Sequence, residues 1–241
     1  VRDYTLYYWP IPFRGQFIRA VLAQVGAQWD EADFDTIIEL KDKPPRAQPV
    51  PHMAPPVLID HRENVALSQL PAILMYLGGK YELLPSATTE QQGGQAGDDA
   101  LVLKLILDAN DVLYEMTRHN GDQMWDAEAW SDFLPRLRRW MSVFEAAIQR
   151  WDLSDNGFLF NRKSAGLADL VVATLWGVMT EKLPALRPLL EETAPAVADL
   201  TDWVTASPAQ VELRRTSDAA YGEEWCSGQI EVSLRAVLAT E

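Results

Sequence analysis

The stretch that most constrains this 241-residue chain runs from Met53 to Gly79, MAPPVLIDHRENVALSQLPAILMYLGG. A proline pair precedes an aliphatic run, Val57-Leu58-Ile59, that ends at Asp60, and four polar residues, His61 to Asn64, separate it from a second run, Val65-Ala66-Leu67. This pattern predicts a β-hairpin. Ser68 stands where a helix cap belongs, Ile73, Leu74, Tyr76 and Leu77 keep to roughly one helical face, and Gly78-Gly79 mark the expected helix end. Pro71 falls in the first turn, where its missing N–H is not needed. The Pro55-Pro56 bond is a candidate for the cis form, since an X-Pro bond gives up its trans preference for about 0.5–1 kcal/mol.

Upstream, Tyr4 to Trp9 is aromatic and β-branched and is cut off by Pro10 and Pro12, which reads as a strand entering a loop. Phe17, Ile18, Val21, Leu22 and Val25 then share a helical face, with Gly26 as the stop. Trp29 to Phe34 predicts a second strand, and Thr36 to Val50, rich in proline and mixed charge, predicts mostly loop. Strand, helix, strand, crossover, hairpin and helix make a βαβ-ββα unit of about 80 residues, the size and order of a thioredoxin-like domain.

Past Leu84-Pro85 the character changes. Ser86 to Gly94 is polar, and helical spacing dominates afterwards: Leu101, Leu105 and Val112 in one long helix to about Arg118; Leu137 to Trp151 in another, with Pro135 in its first turn; then 167–180, 196–205, a short one near Val211, and Ile230 to Leu238. The expected class is therefore α+β with two domains: a thioredoxin-like unit at 1–84, a linker at 85–94, and an all-α bundle at 95–241.

A hydrophobic share of 48% is ample for a packed core, and a net charge of −14 argues against a nucleic-acid or anionic membrane surface. It does not forbid an anionic small ligand, which needs only local positive charge. The single cysteine, Cys226, excludes an internal disulfide framework and reads as a buried thiol rather than a reactive one. His52, His61 and His119 lack metal-ligand spacing, and no GxGxxG, Walker loop, HExxH or GxSxG is present, so no metal is expected. With no secretory segment or long apolar run, a cytoplasmic location is the expectation.

These pieces resemble the cytosolic glutathione transferases along almost the whole chain. Pro56-Val57-Leu58-Ile59-Asp60 and Gln69-Leu70 take the positions of that family's proline-strand-turn-strand-helix motif. YTLYYWPIPFRGQFIRAVLAQVG is similar to the opening of its tyrosine-type (pi, sigma, mu-like) classes, with Tyr8-Trp9 and Arg14-Gly15 in place and about two extra loop residues between. Leu134-Pro135, Phe144-Glu145, Asn156-Gly157-Phe158-Leu159 and Leu167-Ala168-Asp169-Leu170 follow in the family's order. The resemblance looks bacterial, and it implies a symmetric homodimer, detoxification chemistry, glutathione as co-substrate and a small hydrophobic electrophile as second substrate.

The chemistry implied is thiolate activation. A free thiol has a pKa of about 8.5, so little is ionised at neutral pH, and a hydroxyl donor about 3 Å from sulfur stabilises the charged form. The resemblance assigns that donor to Tyr8. Tyr7 is the rival, because alternate strand residues face opposite sides; the third alternative is that both are core aromatics with hydroxyls bonded elsewhere. The resemblance further implies that Pro55 and Pro56 meet the cysteinyl backbone, that Gln69 contacts the γ-glutamyl end, and that Asp111 reaches across a dimer to the glutamyl amine, unless it is a solvated helix face. Lys41, Lys43 or Arg46 would hold the glycyl carboxylate. Trp9, Ile11, Phe13 and Tyr114 would line the second pocket, with Trp225 as a lid.

Two departures stand out. Where the family has a serine that grips the γ-glutamyl carboxylate, this chain has Leu70, which retains only a backbone N–H. Pro55 likewise keeps the acceptor and loses the donor. Two lost contacts of about 1 kcal/mol each weaken binding more than tenfold unless replaced. The residues thus support two readings: a transferase acting through Tyr8, or a transferase fold retained for binding or interaction with an eroded glutathione site.

Overall fold

A computed structural model of the chain describes residues 2–88, 96–151 and 157–240. Part of the expected linker (89–94) and Asn156 lie outside the described residues. The elements run β1 (Tyr4–Tyr7), α1 (Phe13–Gln24), β2 (Trp29–Glu31), α2 (Phe34–Asp42), β3 (Val57–Asp60), β4 (Val65–Ser68) and α3 (Leu70–Lys80). The helical half comprises α4 (Ala96–Met116), a short turn α5 (Arg118–Gly121), α6 (Ala127–Arg150), α7 (Leu167–Lys182), α8 (Leu186–Thr193), α9 (Pro195–Thr205), α10 (Pro208–Tyr221) and α11 (Gly228–Leu238). This is the expected α+β class, a thioredoxin-like unit succeeded by a helical one. No helix among the described residues is long and apolar enough to cross a membrane.

The sheet order is β2-β1-β3-β4, with β1 parallel to β2 and the other pairs antiparallel. Register sets which residues meet at the sheet edge. Tyr7 pairs with Val57, which pairs with Ser68, so the next residues outward, Tyr8, Pro56 and Gln69, leave the sheet at one edge. The alternating burial of β1 puts Tyr4, Leu6 and Tyr8 on the buried face and Thr5 and Tyr7 on the other.

Several local expectations are corrected. The second strand stops at Glu31, because the Asp33 side chain accepts the Thr36 N–H (2.8 Å) and starts α2 where loop was expected. Ser68 ends β4 rather than capping α3; Gln69 occupies the cap position without a side-chain bond. Helix α3 also runs through Gly78-Gly79 to Lys80. Gly78 serves packing, since a Cβ there would come within 2.7 Å of Leu167. Pro135 lies inside α6 because the helix starts earlier, where Asp126 accepts the Ala129 N–H.

The two halves share one apolar core that includes Leu6, Ile18 and Leu77 from the first and Leu105, Leu167 and Trp176 from the second. A polar clamp joins them as well: Arg162 donates to the carbonyls of Leu84 and Glu82 (2.9 Å each), and the Leu167 N–H donates to Leu83 O (2.9 Å). Helix α7 starts where the buried Asp169 accepts the N–H groups of Leu159 (2.9 Å) and Gly166 (2.8 Å).

Candidate active site

A cleft of about 470 Å³ opens at the sheet edge. One wall is the edge itself: Tyr8, Ala54, the cis Pro55-Pro56 pair, Gln69 and Leu70. Facing it stand Asn110 and Tyr114 of α4 and Thr117 just after it, then Asn120, Cys226 and Ile230. Trp9 and Ile11 from the loop after β1, with Phe13 and Arg14 at the start of α1, join the two walls.

Tyr8 comes directly after β1 and is 3% exposed. Its ring lies against Gly15, where an added Cβ would fall 2.3 Å from Tyr8 Cδ1, so the close approach requires glycine. Its hydroxyl accepts the Arg14 backbone N–H at 3.1 Å, which leaves the phenolic proton for another acceptor. Burial pushes the phenol up to about 12, against the opposing charge of Arg14, so it stays a neutral donor at physiological pH. Tyr7 is absent from the cleft lining.

The loop is held by a residue that sequence reasoning missed. Arg19, 2% exposed on α1, grips Glu31 with two bonds (2.8 and 3.0 Å) and donates to Ile11 O (2.9 Å). A lone arginine among Phe17, Ile18, Val21 and Leu22 was the available signal. Asn110 was missed too; its Oδ1 accepts Arg14 Nε at 2.9 Å. So were Thr117 and Asn120. Thr117 directly follows α4, and Asn120 reaches the cleft within a run of left-handed residues, Arg118, His119, Asn120 and Gly121 (φ 42°, 63°, 61° and 86°). Only the Asn and Gly of that run hint at such a conformation.

The other expected residues divide. Pro55, Pro56, Gln69, Leu70, Trp9, Ile11, Phe13 and Tyr114 all line this one cleft. Gln69 is exposed there in a left-handed conformation (φ 73°, ψ 123°), and the Leu70 side chain turns into the core at 1% exposure. Asp111 is exposed on α4 outside the cleft. Lys41 pairs with Asp42 (3.2 Å) and Lys43 with Glu39 (3.3 Å), and neither they nor Arg46 lines the cleft. Trp225 is no lid: it is buried behind the loop, edge-on to Phe13 with ring centroids 5.2 Å apart. Its neighbour Cys226 reaches the cleft half-buried, its thiol pushed up by burial and then by Glu231.

Residues 101–237 match the family model described as the glutathione S-transferase C-terminal domain. The chain belongs to the glutathione S-transferase family. Among solved structures of this fold, a pi-class glutathione S-transferase of Onchocerca volvulus is 20% identical, with 90% of this chain and 95% of that one covered and a TM-score of 0.69. The glutathione transferase URE2P6 of Phanerochaete chrysosporium, in complex with oxidized glutathione, gives 17%, 91%, 98% and 0.69 on the same measures. Ure2p5 of the same organism, cocrystallized with 1-(S-glutathionyl)-2,4-dinitrobenzene, gives 15%, 91%, 96% and 0.65. At these identities the likeness to other glutathione S-transferases is one of fold. No curated protein sequence matches the chain.

Proposed function

We propose that the chain is a glutathione transferase in which Tyr8 stabilises the glutathione thiolate for attack on a small electrophile. The observation that carries this reading is the Tyr8 hydroxyl: neutral, lining a cleft beside a cis-proline edge, with its oxygen already bonded and its proton free to donate. Such a donor strengthens its bond as charge gathers on sulfur, and it needs no ionisation of its own. Residues 1–84 form the glutathione-binding unit and 95–241 the helical unit. Related folds that carry oxidized glutathione or a glutathionyl-dinitrobenzene support the ligand class.

In this reading Pro55 offers its carbonyl to the cysteinyl N–H, and Gln69 with the Leu70 N–H meets the γ-glutamyl end. Asp111, outside the cleft of its own chain, serves the cleft of a second copy in a two-fold dimer. The protein works in the cytoplasm, where glutathione is reduced and abundant.

A second reading has its own observation. The Leu70 side chain is committed to the core and none of Lys41, Lys43 and Arg46 lines the cleft, so two contacts, a hydroxyl at position 70 and a cation for the glycyl carboxylate, are missing, as in a binding protein with an eroded site. Calorimetric titration with glutathione, beside an aryl-halide assay of Tyr8→Phe, separates the two. The transferase binds in the micromolar-to-millimolar range and loses turnover in the variant while keeping binding. No binding at tens of millimolar leaves the second reading.

A further inference from the structure

A second space in the molecule, a slot of about 50 Å³, lies among α1, α7 and α10 and shares no lining residue with the cleft. On α7 its lining residues Thr174, Val178 and Glu181 follow one another at single-turn spacing, and on α10 Gln210, Leu213 and Ser217 do the same, so the slot extends along both helices. One end is charged. Lys182 Nζ is spent there on Asp218 Oδ1 (2.6 Å) and Gly222 O (2.7 Å). Glu181 accepts no hydrogen bond among the described residues, its nearest cation being Lys182 at 3.7 Å. Burial and then Asp218 push its carboxyl above the usual range, against Lys182 and Arg214. Two turns away the lining is neutral. Thr174, 7% exposed, makes no hydrogen bond among the described residues, and Gln210, 9% exposed, donates to Ala20 O (2.9 Å) and leaves its own carbonyl without a donor. Gln16 and Ser217, by contrast, bond each other at 2.9 Å. Both ends therefore offer acceptors that nothing in the chain fills, with Gly177, Val178 and Leu213 as an apolar stretch between them.

We propose that this slot is a binding site for a short linear amino alcohol, with the ammonium on Glu181 and the hydroxyl between Thr174 and Gln210. Acceptors in excess call for a ligand rich in donors, and a half-buried carboxylate that accepts no hydrogen bond calls for a positive charge at that end alone. Length agrees with this. Glu181 and Thr174 stand seven residues apart on α7, a rise of about 10.5 Å. 3-Aminopropan-1-ol spans about 5 Å from nitrogen to oxygen, and a hydrogen bond of about 3 Å at each end brings its reach to about 11 Å. Its bulk suits a space that holds about four waters. The site goes beyond the transferase reading and does not depend on it, although Pro12 and Gln16 on its α1 side flank Phe13 and Arg14 of the cleft.

The test uses three matched ligands. The full chain is titrated calorimetrically at neutral pH with 3-aminopropan-1-ol, with propylamine, which lacks the hydroxyl, and with propane-1,3-diol, which lacks the charge; both amines are protonated there, with a pKa of about 10. In the wild type the amino alcohol is expected to bind about fivefold or more tighter than either control. Two nearly isosteric variants then assign the ends. Glu181→Gln should cut the advantage over the diol about threefold or more and spare that over propylamine, and Thr174→Val should do the reverse. The inference is overturned if the wild type binds nothing at about 100 mM, if it shows no preference for the amino alcohol, or if the variants do not give this crossed pattern. Displacement of the amino alcohol by saturating glutathione would overturn it too, by placing the ligand in the cleft. The wild-type comparison and this competition need no variant. Failure of the wild type to bind glutathione sinks the transferase reading alone, since the three titrations still decide the slot.

Discussion

The two walls of the cleft are built by different means. On the sheet side, the pairing of Tyr7, Val57 and Ser68 delivers Tyr8, Pro56 and Gln69 to one edge, and each strand brings its residue by position alone. On the helical side, Asn110, Asn120 and Ile230 come from α4, a left-handed turn and α11, and only tertiary packing brings them together. Chemistry common to the whole fold suits the first wall, because register is hard to alter without turning every side chain over. The second wall tolerates change, which suits a substrate that varies.

The largest expected effect breaks the first wall at its centre. Tyr8→Phe should lower kcat about 100- to 1000-fold, the usual cost of a lost donor to developing charge, with glutathione affinity within about threefold of wild type. Tyr7→Phe, on the opposite face of β1, should leave steady-state rates within about twofold. Equal losses in the two variants would contradict the strand-parity argument.

A second prediction concerns the support of the helical wall. Burial pushes the Asp169 carboxyl from 3.8 up to about 6, against the N–H bonds from Leu159 and Gly166. The unfolded chain therefore gives up this proton first. The group's stabilising contribution is full below about pH 4 and is lost as pH rises through about 6, roughly 3 kcal/mol in all. In denaturant unfolding between pH 4 and 7, Asp169→Asn should lack this component, seen as a wild-type-minus-variant difference that shrinks with rising pH. Glutathione affinity at pH 7 should be unchanged, and a flat difference across the range would show that Asp169 has no raised pKa.

Leu70→Ser sharpens the comparison from the other side. Returning a hydroxyl to the start of α3 should tighten glutathione binding about five- to tenfold, while removing a buried leucine costs about 2–4 kcal/mol of stability. Calorimetry and chemical denaturation on the same preparation read both. Smallest of all, Lys41→Ala and Lys43→Ala should each change glutathione affinity less than about twofold, because both residues pair with acids on α2 away from the cleft. A tenfold loss in either would place the glycyl carboxylate on that helix.

Legibility in the sequence divides along the same line. The placement of Tyr8, Pro55, Pro56 and Gln69 at a sheet edge could be read because a strand, a proline pair and a turn each carry a local signal, while their roles came from the resemblance. The cleft role of Asn110 was hidden, since an asparagine next to Asp111 in a helix has no local mark, and its partner Arg14 lies 96 positions away. Lys41, Lys43 and Trp225 failed for a related reason. Their roles came from the resemblance, and the structure places Lys41 in the last turn of α2, Lys43 just after it, and the tryptophan buried behind Phe13. The end of α3 was misread because Gly78 looks like a stop, whereas contact with Leu167 explains it.

The central claim is that the Tyr8 hydroxyl stabilises the bound thiolate. Its most direct test is titration of that thiolate by its ultraviolet absorption, with glutathione saturating the wild type and Tyr8→Phe. The account predicts a bound thiol pKa at least about one unit below the free value of about 8.5 in the wild type, returning towards that value in the variant. Identical titrations in the two proteins would contradict it and move thiolate stabilisation to another group in the cleft.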